Sequence, residues 1–114
     1  LRPEDLLRFY TGPLGRRLLA SPLVKREWSF NFRLSHEKET LLQGVMDCAF
    51  REGDGWVLLD YKTDRVREND GEELLKTRHR TQIGYYCRAV EKMTGRRVSR
   101  AVLYSFALGR AVYL

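Results

Sequence analysis

The stretch from Glu72 to Thr94 limits the possible folds more than any other part of the chain. Ile83, Tyr86, Val90 and Met93 recur at spacings of three and four, which lays an apolar stripe on one face of a helix, and Gly95 stands where a left-handed residue would end it. The apolar run Val98 to Phe106 follows at once and reads as a strand. A long helix that leaves one strand and delivers another can serve as a crossover, the connection that parallel pairing requires.

Three strands precede that helix. Lys25 to Leu34 alternates, with Trp28, Phe30 and Phe32 on one parity, and Thr40 to Arg51 and Trp56 to Lys62 are joined by the turn residues Gly53-Asp54-Gly55. Consecutive strands with short connections pair antiparallel. Ser35 to Glu39 reads as a polar loop and Asp64 to Gly71 as a charged one, while a turn around Gly109 leads to a last strand at Ala111 to Leu114. At the start, Pro3-Glu4-Asp5 opens a helix carrying Leu6, Leu7 and Phe9 that breaks at Gly12-Pro13; a short helical stretch with Leu14, Leu18 and Leu19 ends by Ser21-Pro22. The order α-β-β-β-α-β-β predicts an α/β fold, a mixed sheet flanked by helices.

The chain of 114 residues is the size of one domain, and no repeat or low-complexity linker divides residues 1–114. It lacks an initiator Met and begins and ends inside patterned segments, so a larger parent protein is expected. A hydrophobic share of 43% supports a core, which excludes disordered and fibrous classes, and no apolar run approaches the roughly 18 to 20 residues that cross a bilayer. Cys48 and Cys87 are too few and too far apart for a disulfide framework or a zinc or iron–sulfur site, and are expected as small buried hydrophobes in a reducing cytoplasm. Lys plus Arg exceed Asp plus Glu by 21 to 15, and a net charge of +6 favours polyanionic partners without specifying one.

The hairpin brings charges together where a sheet would not choose them. If Gly53-Asp54 forms a two-residue turn, Glu52 faces Gly55 and, counting back along the ladder, Asp47 faces Asp60. A turn shifted by one residue places Asp47 opposite Tyr61 or Lys62 instead. Facing like charges are destabilising, so a cation should sit between them, and Lys62 shares a strand face with Asp60. Two carboxylates and one ammonium around a point fit either a salt bridge or a site for Mg²⁺ or Mn²⁺, hard cations that use few carboxylates together with water and phosphate.

Gly44-Val45-Met46-Asp47, Asp60-Tyr61-Lys62-Thr63-Asp64 and Gln82-Ile83-Gly84-Tyr85-Tyr86 resemble the GxxD, DYKTD and QxxxY motifs of the RecB-type nuclease family, part of the restriction-endonuclease-like PD-(D/E)XK superfamily. The resemblance covers nearly the whole chain and is strongest to the C-terminal nuclease domains of AddA-type helicase–nuclease subunits. It implies that Asp47 and Asp60 bind the catalytic divalent metal, that the backbone carbonyl of Tyr61 completes the ligand set, and that Lys62 positions or activates the attacking water. Gln82 and Tyr86, four residues apart on one helix face, would contact the DNA backbone or hold the metal-site strands; packing in the core is the other reading of Tyr86. The histidine ligand that the family carries well upstream of GxxD has no counterpart, because His36 stands in the loop just before Asp47 and His79 comes after it. Glu27 matches an acidic position of AddA-type sequences but reads first as an exposed strand-edge charge.

Arg65, Arg67, Lys76, Arg78 and Arg80 flank these motifs and are expected to hold phosphates without reading bases, whereas Arg96, Arg97 and Arg100 read as a solvated face. The resemblance implies a metal-dependent DNA exonuclease in the cytoplasm. It would digest DNA, single-stranded, delivered by helicase domains of the parent chain during double-strand-break repair and recombination, with a partner subunit of AddB type. The alternative is a nuclease fold that no longer cuts but binds DNA or a partner subunit.

Overall fold

Proline at the first turn of each of two helices, with Gly12 between them, produces α1 (Pro3–Thr11) and α2 (Pro13–Ala20) as separate rods, the amide of Gly12 closing α1 on the carbonyls of Arg8 and Phe9. The computed structural model describes residues 2–33 and 41–114, so the expected loop 35–39, His36 and the side chain of Phe32 lie outside the described residues. After the two helices come β1 (Val24–Arg33), β2 (Leu41–Glu52), β3 (Gly55–Lys62), α3 (Gly71–Thr94), β4 (Val98–Ser105) and β5 (Arg110–Tyr113). The strands form one sheet in the order β1-β2-β3-β4-β5. Only the β3–β4 pair is parallel, and α3 is the crossover between its members.

The central strand β3 is covered on both faces, which is why Trp56 to Asp60 are all buried and its sequence does not alternate. On one face Leu75, Ile83, Ala89 and Val90 of α3 pack against Met46, Ala49, Leu58, Leu103 and Val112. On the other, Phe9, Leu14 and Leu18 of α1 and α2 cover Cys48, Phe50, Val57, Leu59, Val102 and Tyr104. Gly95 ends α3 at φ +70°, the left-handed conformation expected of it. Met93 departs from the expected stripe and is 39% exposed. The last turn of α3 instead turns Glu91 and Thr94 toward the chain entering β4, where Glu91 accepts from the amide of Val98 and Thr94 from that of Arg96. Cys48 is buried and Cys87 only half-buried; burial pushes both free thiols up to about 11, which leaves them unreactive. Among the described residues no helix is long and apolar enough to cross a membrane.

The β2–β3 hairpin turns on Gly53-Asp54, with Glu52 paired to Gly55 and the ladder running to Cys48 opposite Leu59. One step further lie Asp47 and Asp60. The β1–β2 ladder passes from Arg26↔Cys48 to Trp28↔Met46 and skips the intervening residues Glu27 and Asp47. At that step both strands exchange faces: Val24 and Cys48 belong to the α1–α2 side, whereas Trp28 and Met46, of the same parity, belong to the α3 side. Glu27 is the one non-glycine residue at positive φ (+48°) among those described, and such a residue resets the alternation of side chains along a strand. The uniform parity read from Trp28 and Phe30 therefore does not extend back to Val24.

Candidate active site

Asp47 stands where β1 and β2 turn over, and its Oδ2 accepts a hydrogen bond of 2.9 Å from the backbone amide of Tyr61. A side chain thereby takes over from the backbone ladder at the end of the hairpin, which fixes the carboxylate beside β3. Asp60, on the α3 face of β3, has a side chain only 7% exposed. Burial pushes its carboxyl up to about 6, the hydrogen bond and charge of Asp47 add to the rise, and Lys62 pulls the other way. Lys62 Nζ lies 2.8 Å from Asp60 Oδ2, close enough for an ion pair. Apart from that ion pair, no donor among the described residues reaches this buried oxygen.

A buried carboxylate that faces a second carboxylate and has one ammonium as its partner is costly unless a further cation or donor completes it. The donor set is hard oxygen, which suits Mg²⁺ or Mn²⁺. Among the described residues no three His, Cys, Asp or Glu converge; of these, Asp47 and Asp60 are the side chains placed to hold a metal, with room for backbone carbonyl, water and phosphate. The salt bridge read from the sequence is present between Lys62 and Asp60, while Asp47 engages the Tyr61 amide.

Gly44 leaves the room that the rings occupy: a Cβ there would come 3.0 Å from Phe30 Cζ, which would have to give by a few tenths of an ångström, and 3.7 Å from Tyr86 Cε1, an ordinary contact. Its absence lets Phe30 meet Tyr86 edge-on, at 5.6 Å and 74°, directly over the strand that carries Asp47. Tyr86 is half-buried, and its hydroxyl is pushed up by burial and then by the charge of Asp60. It is thus both a core aromatic and a neighbour of the carboxylates. Gln82 is exposed one turn earlier and lines, with Phe30, Leu42, Gln43, Tyr85 and Tyr86, an open groove of about 420 Å³ between the sheet and α3.

Asp64, at the end of DYKTD, accepts from His79 Nε2 at 3.0 Å and from Arg78 at 3.3 Å, tying the loop after β3 to α3. Burial would raise its carboxyl, but the bond and charge of His79, a backbone hydrogen bond and the bond from Arg78 together outweigh this and hold it below the usual carboxylate range. His79 is therefore occupied with Asp64. Of the five basic residues singled out, Arg78 is paired with Asp64 and Lys76 with Glu73 at 3.6 Å; Arg65, Arg67 and Arg80 are exposed and form no ion pair among the described residues.

Two residues gain a place that sequence reading did not assign them. Glu27, in its positive-φ conformation, lines a recess of about 370 Å³ together with Arg26, Asp47 and Tyr61. Arg26 stands at the wall of that recess; Glu27 is the residue matched to an acidic position in the sequence, whereas the hint of Arg26 there is the charged run Lys25-Arg26-Glu27, which interrupts the alternation before Trp28.

A family model described as the PD-(D/E)XK nuclease superfamily matches residues 3–113. The chain is 42% identical over 116 residues to an ATP-dependent helicase/nuclease subunit from Acetivibrio thermocellus, covering 90% of this chain and 9% of that protein. It is 41% identical over 119 residues to the protein of the same name from Desulforudis audaxviator, with 95% and 10% covered. For the Clostridium novyi protein, also of that name, the figures are 39% over 116 residues, with 90% and 9% covered. The chain spans about a tenth of the length of the curated relatives it matches.

Proposed function

Because the chain belongs to the PD-(D/E)XK nuclease superfamily, we propose that it hydrolyses phosphodiester bonds of DNA with the help of a divalent metal, and that Asp47, Asp60 and Lys62 are its working residues. The observation that carries this reading is the buried Asp60 carboxylate, set beside Asp47 with the Lys62 ammonium 2.8 Å away. Asp47, Asp60 and the backbone carbonyl of Tyr61 would hold Mg²⁺ or Mn²⁺. When bound, such an ion supplies a Lewis acid that makes a water nucleophilic and offsets charge on the phosphate. Lys62 Nζ faces the same point, where it would orient the attacking water in line with the leaving oxygen and neutralise a phosphoryl oxygen. Asp60 sheds the proton that its burial favours before it can serve as a ligand. Gln82 and Tyr86, on the helix beside the carboxylates, hold the sugar–phosphate backbone, and Arg65, Arg67, Lys76, Arg78 and Arg80 extend that grip.

The relatives are named as helicase/nuclease subunits, and by that analogy the domain acts in the cytoplasm on single strands delivered by helicase domains of the same polypeptide. Repair and recombination at double-strand breaks, exonucleolytic digestion and a partner subunit of AddB type belong to the same reading. In a single-strand cleavage assay, Asp60→Ala and Lys62→Ala should each lower the rate by about 10²-fold or more with the circular dichroism spectrum unchanged. Near-normal rates in either variant would sink the assignment. A second reading, a nuclease fold that binds strands without cutting, is favoured by the convergence, among the described residues, of no third acidic or histidine side chain with Asp47 and Asp60. Crystals soaked in Mn²⁺ together with the cleavage assay separate the two, since metal at both aspartates without any cutting selects the binding module.

A further inference from the structure

Beside the recess of Arg26, Glu27, Asp47 and Tyr61 lies a second one, of about 160 Å³, lined by Leu6, Phe9, Tyr10, Arg26, Tyr61 and Phe106. The two share Arg26 and Tyr61, so the second opens next to Asp47. Its walls are rings. Tyr61 and Phe106 lie 5.9 Å apart at 29°, while Phe9 meets Tyr61 edge-on at 5.3 Å and Tyr10 at 4.9 Å. Phe9, 2% exposed, forms the floor and Leu6, 43% exposed, the rim. Arg26 reaches across the mouth to the hydroxyl of Tyr10, at 3.5 Å. None of Leu6, Tyr10, Phe106 or Arg26 has a part in the chemistry described above.

We infer that this aromatic recess is a nucleobase subsite, in which an unpaired base of the DNA strand stacks while Arg26 meets its phosphate and the strand continues into the adjoining recess at Asp47. The inference rests on the nuclease reading and deepens it. Aromatic faces accept flat rings of any base, and a guanidinium accepts the phosphate that accompanies each one. The volume suits one ring system, well short of the roughly 300–1,000 Å³ of clefts that take larger ligands. A base held in a duplex cannot enter such a recess without leaving its stack, so the subsite makes the domain prefer single strands.

The test uses single-stranded oligodeoxynucleotides carrying one abasic site walked along the strand, with binding followed by fluorescence anisotropy in EDTA. At one position the missing base should weaken binding by roughly tenfold, the size expected for one stacked base. Phe106→Ala should weaken binding of the intact strand by a similar factor and erase the abasic penalty. Leu6→Trp, which plugs the mouth with every ring of the wall in place, should do the same and guards against misfolding of the first variant. Arg26→Ala should weaken intact and abasic strands alike and reduce the salt slope by about one. Cleavage with Mn²⁺ is measured in parallel. A wild type that cuts but binds abasic and intact strands equally at every position overturns the subsite and leaves the nuclease reading standing. Unchanged binding in both Phe106→Ala and Leu6→Trp overturns it likewise, as it would if the recess received an apolar side chain of another protein segment. Failure of the wild type both to cut and to bind overturns the nuclease reading and the subsite with it.

Discussion

Asp60 concentrates the conflict on which the site depends. Its side chain is 7% exposed, faces Asp47 and is only partly compensated by Lys62, so its carboxyl titrates well above the ordinary value of 3.8, at about 6. The folded protein therefore binds this proton more tightly than the unfolded chain does. The contribution to stability is fully present below about 3.8 and is lost as pH rises through about 6. Without metal, Asp60→Asn should consequently match the wild type near pH 4 and exceed its stability above pH 7 by about 3 kcal/mol, measured by urea denaturation in EDTA across that range. Addition of Mn²⁺ should reverse the order at neutral pH, because the wild type alone gains a ligand that binds the folded state. A variant less stable than the wild type at every pH in EDTA would show that the ion pair with Lys62 outweighs burial.

At the scale of elements, the site is assembled by two contacts that hold secondary structures at fixed distances. The first is the crossing of Phe30 and Tyr86 over Gly44, which sets α3 against the β1–β2 pair. Gly44→Ala pushes a methyl to within 3.0 Å of the Phe30 ring, and the overpacking should cost about 1–3 kcal/mol in denaturant melts. Phe30→Leu on that background should recover part of the loss by vacating the space, whereas additive losses would place the strain elsewhere. The second contact is Asp64 with His79 and Arg78, which anchors the start of α3 to the loop leaving β3. Between them these contacts determine how far Gln82 and Tyr86 stand from Asp60.

For the whole molecule, the charge of +6 matters less than which cations are free to use it. Arg65, Arg67 and Arg80 form no ion pair among the described residues, while Arg78 and Lys76 have carboxylate partners at 3.3 and 3.6 Å. Each of Arg65→Ala, Arg67→Ala and Arg80→Ala should reduce the slope of log binding constant against log salt by about 1 for a single strand. Arg78→Ala and Lys76→Ala should change it less, because those cations neutralise an acid before any phosphate arrives. Salt titration of strand binding checks both halves, and equal slopes for all five variants would mean that the pairs with Asp64 and Glu73 open freely.

The elements themselves were legible because their causes are local. Helical spacing, Gly95 as a left-handed stop and two turn residues at Gly53-Asp54 act within a few residues, and the turn length alone sets the register that carries Asp47 toward Asp60. The pairing of Lys62 with Asp60 followed from the two-residue period of a strand. Only the tertiary structure decided the rest. The exchange of faces at Glu27 and Asp47 depends on a positive φ at a residue with no intrinsic taste for it, imposed by packing on both sides of the sheet. His79 went to Asp64 because the loop after β3 folds back on α3. The recess of Tyr10, Arg26, Tyr61 and Phe106 draws on four separate stretches of chain that meet solely through the sheet order. Periodicity reports which side of its own element a residue occupies; which residues of distant elements share an opening is settled by how the layers close.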